Sequence, residues 1–478
     1  MSERRSVILV VPNDLVVDTR GQKMAASLAH IGLRVTVVAR ASARAPISET
    51  VDGYQVIRIE VPPVPMVQVA PRNAGALQRE AASLRKQARY AARRSVTAGT
   101  SLKRRVRLAL RVARLESRRL RVSVKSRSLA AAEHRAHVGH DPSSDRVPWE
   151  NWRETLLLPL ALADAFWPVI EGLDPDIIQC HDLDGLAAAA IAHQRLNQAG
   201  KHVRLVYDAH ENWAGLPDID WVPRVHGSLL GLEKEFIRQA DLVITVSDEI
   251  ATTLRQRYDL KSVPLVLLNT PSVTGGAKSG KNLRTEAGVS DSDAVMVYSG
   301  SISHARRIPD LIQALPFVPQ LHLVVVAVPF PHKLQPEFEE LAETLGVADR
   351  LHIVAPVASN QVVDYLSGAT FGVHPLLSGA PNHEMALPNK LFEYLHAGIP
   401  VVVSDCRTMS EFVRAKGIGL DFHFGDLNSL VVAITEVLQR VEHGDFQPSA
   451  ELIARYTWDY QEPALALAYE EHCGSGVG

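Results

Sequence analysis

SVILVVPNDLVVDTRGQKMAASLAHIGLRVTVVA, residues 6 to 39, decides the fold. SVILVV is an apolar run of strand length, a loop follows, a helix is expected from about Gly21 to Ile31, and LRVTVVA is a second strand. A buried strand, a helix and a parallel strand make the βαβ unit of doubly wound sheets. The pattern resumes with the strand PDIIQCHD (175–182), the helix LDGLAAAAIAHQRLNQAG (183–200), the strand VRLVYDAHE (203–211), and ADLVITVS (240–247) with a helix after it. A second series follows, with strands expected at AVMVYSGS (294–301), LHLVVVAVP (321–329), RLHIVAP (350–356), TFGVHPL (370–376) and IPVVVSD (399–405). SVTGGAKSGKNL (272–283), rich in Gly, Ser and Lys, reads as the linker between the two series. The expected α/β architecture is therefore two Rossmann-like domains around a cleft: 1–270, a linker at 271–283, 284–455, and a terminal helix at 456–478.

Composition agrees with this division. A chain of 478 residues, 46% apolar and 22% charged, is too long for one ordinary domain. Its three cysteines, Cys180, Cys406 and Cys473, have no ligand-like spacing, which argues against a disulfide scaffold or a structural zinc site. The apolar run near the amino terminus is too short for a signal-peptide core, and no run approaches the roughly 18 to 20 apolar residues of a membrane span. A cytoplasmic setting is expected.

The near-neutral total of −2 conceals a strong asymmetry. Between residues 66 and 138 there are 19 Lys or Arg, from Arg72 to Arg135, and three acids, a net of +16 that leaves −18 on the rest of the chain. The Ala, Leu and Arg content of this segment predicts a basic helical insertion in the first domain, with an apolar stripe on its second helix. Such a hairpin suits an anionic membrane surface, which would make the protein peripheral on the inner face of the plasma membrane. The plainer alternative is a solvated insertion packed on its own domain. Nucleic acid is disfavoured, because no aromatic stacking pattern accompanies the charge.

Ligands of open parallel sheets bind beyond the carboxyl ends of the strands. There the first domain offers Asp18 and Arg20, then His181, Asp182 and Asp184, then Asp208, His210 and Glu211. These groups fit the hydroxyls of a sugar or, less well, a metal; as plain structure they would cap strand ends. In the second domain Gly300 and Ser301 follow a strand, and Arg306 and Arg307 precede a helix, a combination suited to a diphosphate. An arginine pair alone is usually a surface pair. Asn382 lies in the loop before LPNKLFEYLHAGIPVV, where Lys390 and Glu393 stand three apart on one helix face. As a simple surface ion pair these two would contribute no more than about 1 kcal/mol.

YDAHENW, ADLVITVSDEI, VLLNTP, YSGSISHARRIPDLIQAL, ALPNKLFEYLHAGIPVVVSD and YTWDYQEPALALAYEE together resemble, in order, the retaining glycosyltransferases of family four, which have the GT-B fold. The resemblance spans nearly the whole chain outside the basic insertion. It implies a nucleotide-diphosphate sugar as donor, held mainly by the second domain at Gly300, Ser301, Asn382, Glu384, Leu387, Asn389 and Glu393. Glu393 matches the second carboxylate of the family's E-x7-E motif, on the nucleotide ribose. Lys390, with Arg306 or Arg307, matches the basic groups on the diphosphate, and His181 the histidine near the reacting sugar. Asp18, Arg20, Asp182, Asp208, His210 and Glu211 would face the acceptor. Trp458 to Glu470 looks like the terminal helix that crosses back to the first domain.

The pattern is not complete. The position of the first motif glutamate is Met385, and the nearest carboxylate is Glu384, one place out of register. Ser301 stands where the family often has arginine after the glycine, and the first loop lacks the usual double glycine. The implied activity is transfer of a sugar to an acceptor hydroxyl, with retention, on a lipid-linked or cell-surface glycan precursor, without cofactor or metal. A nucleotide-sugar epimerase or hydrolase and a catalytically idle accessory subunit are the alternatives.

Overall fold

Two parallel sheets carry the chain, in a computed structural model that describes residues 4–43, 45–64, 151–216, 223–272, 280–303 and 306–474. The basic insertion expected at 66–138 lies outside the described residues, as does the middle of the expected linker. Contacts divide the chain into two units. One comprises residues 1–63, 159–217 and 232–478 and contains both sheets; the other comprises 64–158 and 218–231.

The first sheet has eight strands. In chain order they are β1 (Ser6–Val11), β2 (Arg34–Arg40), β3 (Ser48–Val51), β4 (Tyr54–Ile59), β5 (Ile177–His181), β6 (Arg204–Ala209), β7 (Leu242–Thr245) and β8 (Leu265–Val266). Their spatial order is β3-β4-β2-β1-β5-β6-β7-β8, parallel except for the β3–β4 hairpin. Every residue of β1 and β5 is buried, as continuous apolar strands covered on both faces should be. The β3–β4 hairpin adds an edge that the βαβ reading did not include. Its turn is Asp52-Gly53, with both residues at positive φ, as a tight two-residue hairpin requires.

The second sheet has six parallel strands: β9 (Ala294–Ser301), β10 (Leu321–Val328), β11 (Leu351–Val354), β12 (Phe371–His374), β13 (Val401–Ser404) and β14 (Gly419–Phe422), in the order β11-β10-β9-β12-β13-β14. The five expected strands are present, and β14 is an addition. Gly372 in β12 admits the ring of Tyr394, which a β-carbon there would meet at 2.5 Å.

Strand order reverses between β1 and β5 in the first sheet, and between β9 and β12 in the second. A crevice opens at the carboxyl ends of strands at such switch points. The helices used below are α1 (Thr19–His30), α2 (Asp182–Gln198), α3 (Asp248–Tyr258), α4 (Ile308–Ala314), α5 (Pro381–Met385), α6 (Asn389–His396), α7 (Arg407–Lys416) and α8 (Glu462–Cys473). Leu465, Ala468, Tyr469 and Cys473 of α8, with Trp458 before it, are buried in the core of the first sheet. Trp458 Nε1 donates to Ser27 Oγ at 2.8 Å, so the carboxyl terminus is fastened to α1. No helix among the described residues is long and apolar enough to cross a membrane.

Candidate active site

A cavity of about 360 Å³ lies beyond β9. Gly300, Ser301, Arg306, His374, Asn389, Lys390 and Glu393 form its polar part, and Val328, Pro356, Val357 and Val362 its apolar part; Val17 and Thr19 join from the first sheet's side. Gly300 has φ 137°, and a β-carbon there would stand 3.1 Å from Lys390 Cε, so glycine serves both the backbone turn and the approach of the lysine. Lys390 and Glu393 sit one turn apart on α6. Lys390 Nζ donates to Glu393 Oε2 at 2.9 Å, and Asn389 Nδ2 donates to Oε1 at 3.2 Å. Neither member of the pair is a freely solvated surface group, with 17% and 13% of their side chains exposed.

The two arginines part company. Arg306 Nη1 lies 3.5 Å from His374 Nε2 inside the cavity, and among the described residues it pairs with no carboxylate. Burial, reinforced by the charges of Arg306 and Lys390, drives the His374 imidazole well below its ordinary pKa, so it stands neutral beside them. Arg307, in contrast, has φ 47°, bonds Asp310 Oδ2 at 2.7 Å and covers the ring of Phe424. This correction removes Arg307 from the diphosphate site: the left-handed turn at the start of α4 points it away.

The loop after β12 corrects three further expectations. Glu384 accepts from Gly379 N at 2.5 Å and from Arg407 N at 2.7 Å, so both carboxylate oxygens serve backbone amides and one ties down the first turn of α7. In this arrangement it braces backbone, and it is not among the residues that line the cavity. Leu387 packs against the apolar core of the second domain and is absent from the cavity wall. Asn382, 2% exposed, turns to the first domain: its Oδ1 accepts from Asn212 N at 2.7 Å and its Nδ2 donates to Glu211 Oε2.

Beyond β1, β5 and β6 the expected charged residues gather around a buried centre of Arg20, His181 and Asp208, with Asp18, Asp182, His210 and Glu211 half-buried. Arg20 donates through Nε and Nη2 to the two oxygens of Asp208, at 2.8 and 2.7 Å, and through Nη1 to Leu267 O. Burial alone would raise the Asp208 carboxyl, but Arg20 and His210 hold it far below the usual range. Asp18 caps α1 by accepting from Gly21 N. Its carboxyl is lowered, since the fields of His181 and His210 and the bonds from Asn13 and Gly21 outweigh burial. Asp182, with φ 59°, accepts from Leu183 N and from Trp213 Nε1.

His181 is fully buried, with Nε2 3.1 Å from Gln179 Nε2 and Nδ1 3.4 Å from Asp208 Oδ2. Nδ1, close to Asp208 as it is, makes no hydrogen bond. Burial lowers it to about 4, against the pull of Asp208. His210 goes the other way: burial opposes its charge, but Asp208, 3.3 Å from Nε2, raises it. His181, Asp208 and His210 are close enough together to share a metal ion. Arg20 already holds both Asp208 oxygens, and its charge disfavours a dication beside it.

Lys23 and His374 were not singled out in the sequence. Lys23 donates to Asn269 Oδ1 at 2.8 Å and to Thr270 O at 2.5 Å, 4.9 Å over the Trp458 ring; burial, then the like charge of Arg20, lowers its amine to about 7. It lines a second cavity of about 730 Å³ that shares Thr19, Asn389 and Glu393 with the first. His374 was legible only as a polar residue closing a buried strand.

Residues 293–440 match the family model described as Glycosyl transferases group 1, and residues 106–270 match Glycosyltransferase Family 4. A search of curated proteins finds no match. Among solved structures the chain resembles sucrose-phosphate synthase from Thermosynechococcus elongatus, at 15% identity over 98% of this chain and 99% of that one, with a TM-score of 0.64. Anabaena HepE in complex with UDP and glucose gives 14% identity over 97% and 99% of the two chains and 0.58. A UDP-forming trehalose-phosphate synthase from Burkholderia xenovorans gives 11% identity over 99% and 100%, and 0.55. At such identities the likeness is one of fold.

Proposed function

Because the chain belongs to the family-four glycosyltransferases and has the GT-B fold, we propose that it transfers a sugar from a nucleoside-diphosphate donor to an acceptor hydroxyl with retention of configuration. The observation that carries this reading is the meeting of Arg306, free of any carboxylate partner among the described residues, with Lys390 at the glycine turn of β9. Two cations beside an open glycine backbone suit a diphosphate. Glu393, three residues from Lys390, would accept from the ribose hydroxyls, and the wall of Val328, Pro356, Val357 and Val362 would cover the base. The UDP named for HepE and for the trehalose-phosphate synthase supports a uridine nucleotide as the first to try.

In the reaction the bond from the anomeric carbon to the β-phosphate oxygen breaks, and a bond to the acceptor oxygen forms on the same face. The acceptor proton passes to the departing phosphate. Charge gathers on the diphosphate as the bond lengthens, and Arg306 and Lys390 stabilise it there more than in the ground state. No protein nucleophile and no metal is needed. The +16 of residues 66–138 supports an anionic acceptor, lipid-linked or at the inner membrane face.

Titration calorimetry with UDP, GDP, ADP and TDP tests the donor site. One of them should bind with 1:1 stoichiometry, and binding of none would sink the reading. Proton NMR of the first product formed reports retention or inversion, and flotation with anionic and neutral liposomes tests the membrane arm.

A further inference from the structure

Arg306 is carried by the connection between β9 and α4, and among the described residues the one hydrogen-bond contact of its side chain is His374 Nε2, at 3.5 Å. Both residues line the cavity. β12 pairs with β9 at Phe371 and Gly372, and then the strands part, β9 running on to Ser301 and β12 to His374. His374 therefore closes its strand at the switch point, where the crevice opens. On its other side it is paired with Val403 of β13, and only 4% of it is exposed. The strand and the packing around it fix the ring. A long arginine side chain on a connection has many rotamers to choose from, and an acceptor held by a central strand favours one of them.

Chemistry decides which way the contact runs. A guanidinium can only donate, so Nε2 of His374 accepts and the ring proton sits on Nδ1. That tautomer is the neutral ring. Burial favours it, and so do the fields of Arg306, Lys390 and His383. At 3.5 Å the bond is long, enough to aim the arginine without binding it tightly. A carboxylate in the same place would hold Arg306 more strongly, but it would also cancel the charge that a diphosphate needs. The carboxylates nearby are engaged elsewhere: Glu393 by Lys390 and Asn389, Glu384 by backbone amides, and Glu211, which the field of Arg306 reaches, by Asn382.

We infer that His374 is a positioning residue, a neutral acceptor at the end of β12 that aims Arg306 at the donor diphosphate and leaves its charge uncompensated. The inference rests on the nucleotide-sugar reading of the cavity. One N–H of the guanidinium goes to the ring, and the others remain for phosphate oxygens. Because the ring adds no charge, it orients the arginine before the donor arrives without competing with the donor for it. The role has two separable parts, the acceptor and its neutrality, and each has its own variant.

His374→Leu removes the acceptor, His374→Gln keeps a neutral one, and His374→Glu replaces it with a charged one of nearly the same shape. Arg306→Met is made alone and together with His374→Leu. Calorimetry measures affinity for the nucleoside diphosphate that wild type binds, UDP being tried first and then GDP, ADP and TDP; thermal unfolding reports the fold of each variant. His374→Leu should weaken binding about tenfold, and in the Arg306→Met background the same change should have less than about a twofold effect, since the two residues act as one unit. His374→Gln should recover most of the loss. His374→Glu should bind at least as weakly as His374→Leu while unfolding no earlier than His374→Gln, because its charge is matched by Arg306 and Lys390. An equal loss from His374→Leu with and without Arg306 would mean that the ring only fills the cavity wall, and the inference is overturned. Wild-type affinity in His374→Glu overturns it too, since neutrality would then not matter. If His374→Leu does not fold, the comparison of Gln with Glu decides. A wild type that binds no nucleoside diphosphate would instead overturn the functional reading, and this inference with it.

Discussion

Arg20 and Asp208 form a two-bonded ion pair with side chains 3% and 0% exposed, on a helix and a strand end 188 residues apart in sequence. Breaking a buried pair by removing one member leaves an uncompensated charge, at a cost of about 3 to 5 kcal/mol. Arg20→Met should destabilise the protein by that order, read as a lower urea midpoint. The double variant Arg20→Met/Asp208→Leu should recover part of the loss. A single variant with wild-type stability would mean that His210, 3.3 Å from Asp208, suffices as its counter-charge.

His181 gives the acid limb of stability a defined sign. Its folded pKa, about 4, is below its unfolded value near 6.5, so the folded state favours the neutral ring. The contribution is present above about 6.5 and is lost as pH falls toward 4. His181→Gln should therefore flatten the dependence of unfolding free energy on pH in that window, by up to about 1.4 kcal/mol per pH unit. His210, raised by Asp208, contributes in the opposite direction and would not mimic this effect.

Lys390 and Glu393 share one turn of α6 but should separate kinetically. Lys390→Ala removes a cation from a group that gains charge in the transition state, and kcat should fall by roughly 100- to 1000-fold. Glu393→Gln, away from the breaking bond, should raise donor KM by about tenfold with a smaller effect on kcat. Full activity in both would remove the cavity from the reaction.

These two were legible in the sequence because α6 is regular: a spacing of three residues puts both side chains on one face whatever the surroundings. Gly300 was legible for the same local reason, as a glycine ending a buried strand. Arg306 and Arg307 were not separable, since which of them enters the cavity depends on a left-handed φ at Arg307 that no periodicity reports. The roles of Glu384 and Asn382 were hidden more deeply. Both follow from the short helix α5, which aims one at α7 and the other across to the first domain. The β3–β4 hairpin was written in its Asp52-Gly53 turn, but its antiparallel strands lie outside the βαβ repeat that the strand pattern reports. His181 was placed on the correct strand end, but its complete burial is set by Gln179, Asp208 and His210 converging from neighbouring elements.

Glu384 supplies a contrast to Lys390. With both oxygens on backbone amides, Glu384→Ala should cost about 0.5 to 2 kcal/mol of stability, as loss of a helix cap does, and leave donor KM within about twofold. Thermal unfolding and donor kinetics on the same preparation check both halves. A large rise in KM with unchanged stability would return Glu384 to the sugar.

Gly215 joins the fold to the donor side most directly. A β-carbon there would stand 2.6 Å from Asn382 N and 2.9 Å from Pro381 Cβ, so the turn after Trp213 can meet α5 only with glycine. The same face of the first domain holds α5 through Ser247 Oγ, which donates to Met385 O at 2.7 Å, and holds α7 through Glu249 on α3, which accepts from Arg407 and Thr408. Gly215→Ala forces α5 outward, and Asn382 moves with it, loosening its bonds to Asn212 and Glu211 across to the first domain. Donor kcat/KM should fall about tenfold or more. Nucleoside-diphosphate affinity should hold within about twofold, because Arg306, Lys390 and Glu393 are carried by other elements. If the Gly215→Ala enzyme turns over donor at the wild-type rate, contact between α5 and the first domain is not part of the active arrangement; equal losses of nucleotide affinity and turnover would mean that the substitution disturbs the whole cavity rather than its sugar end.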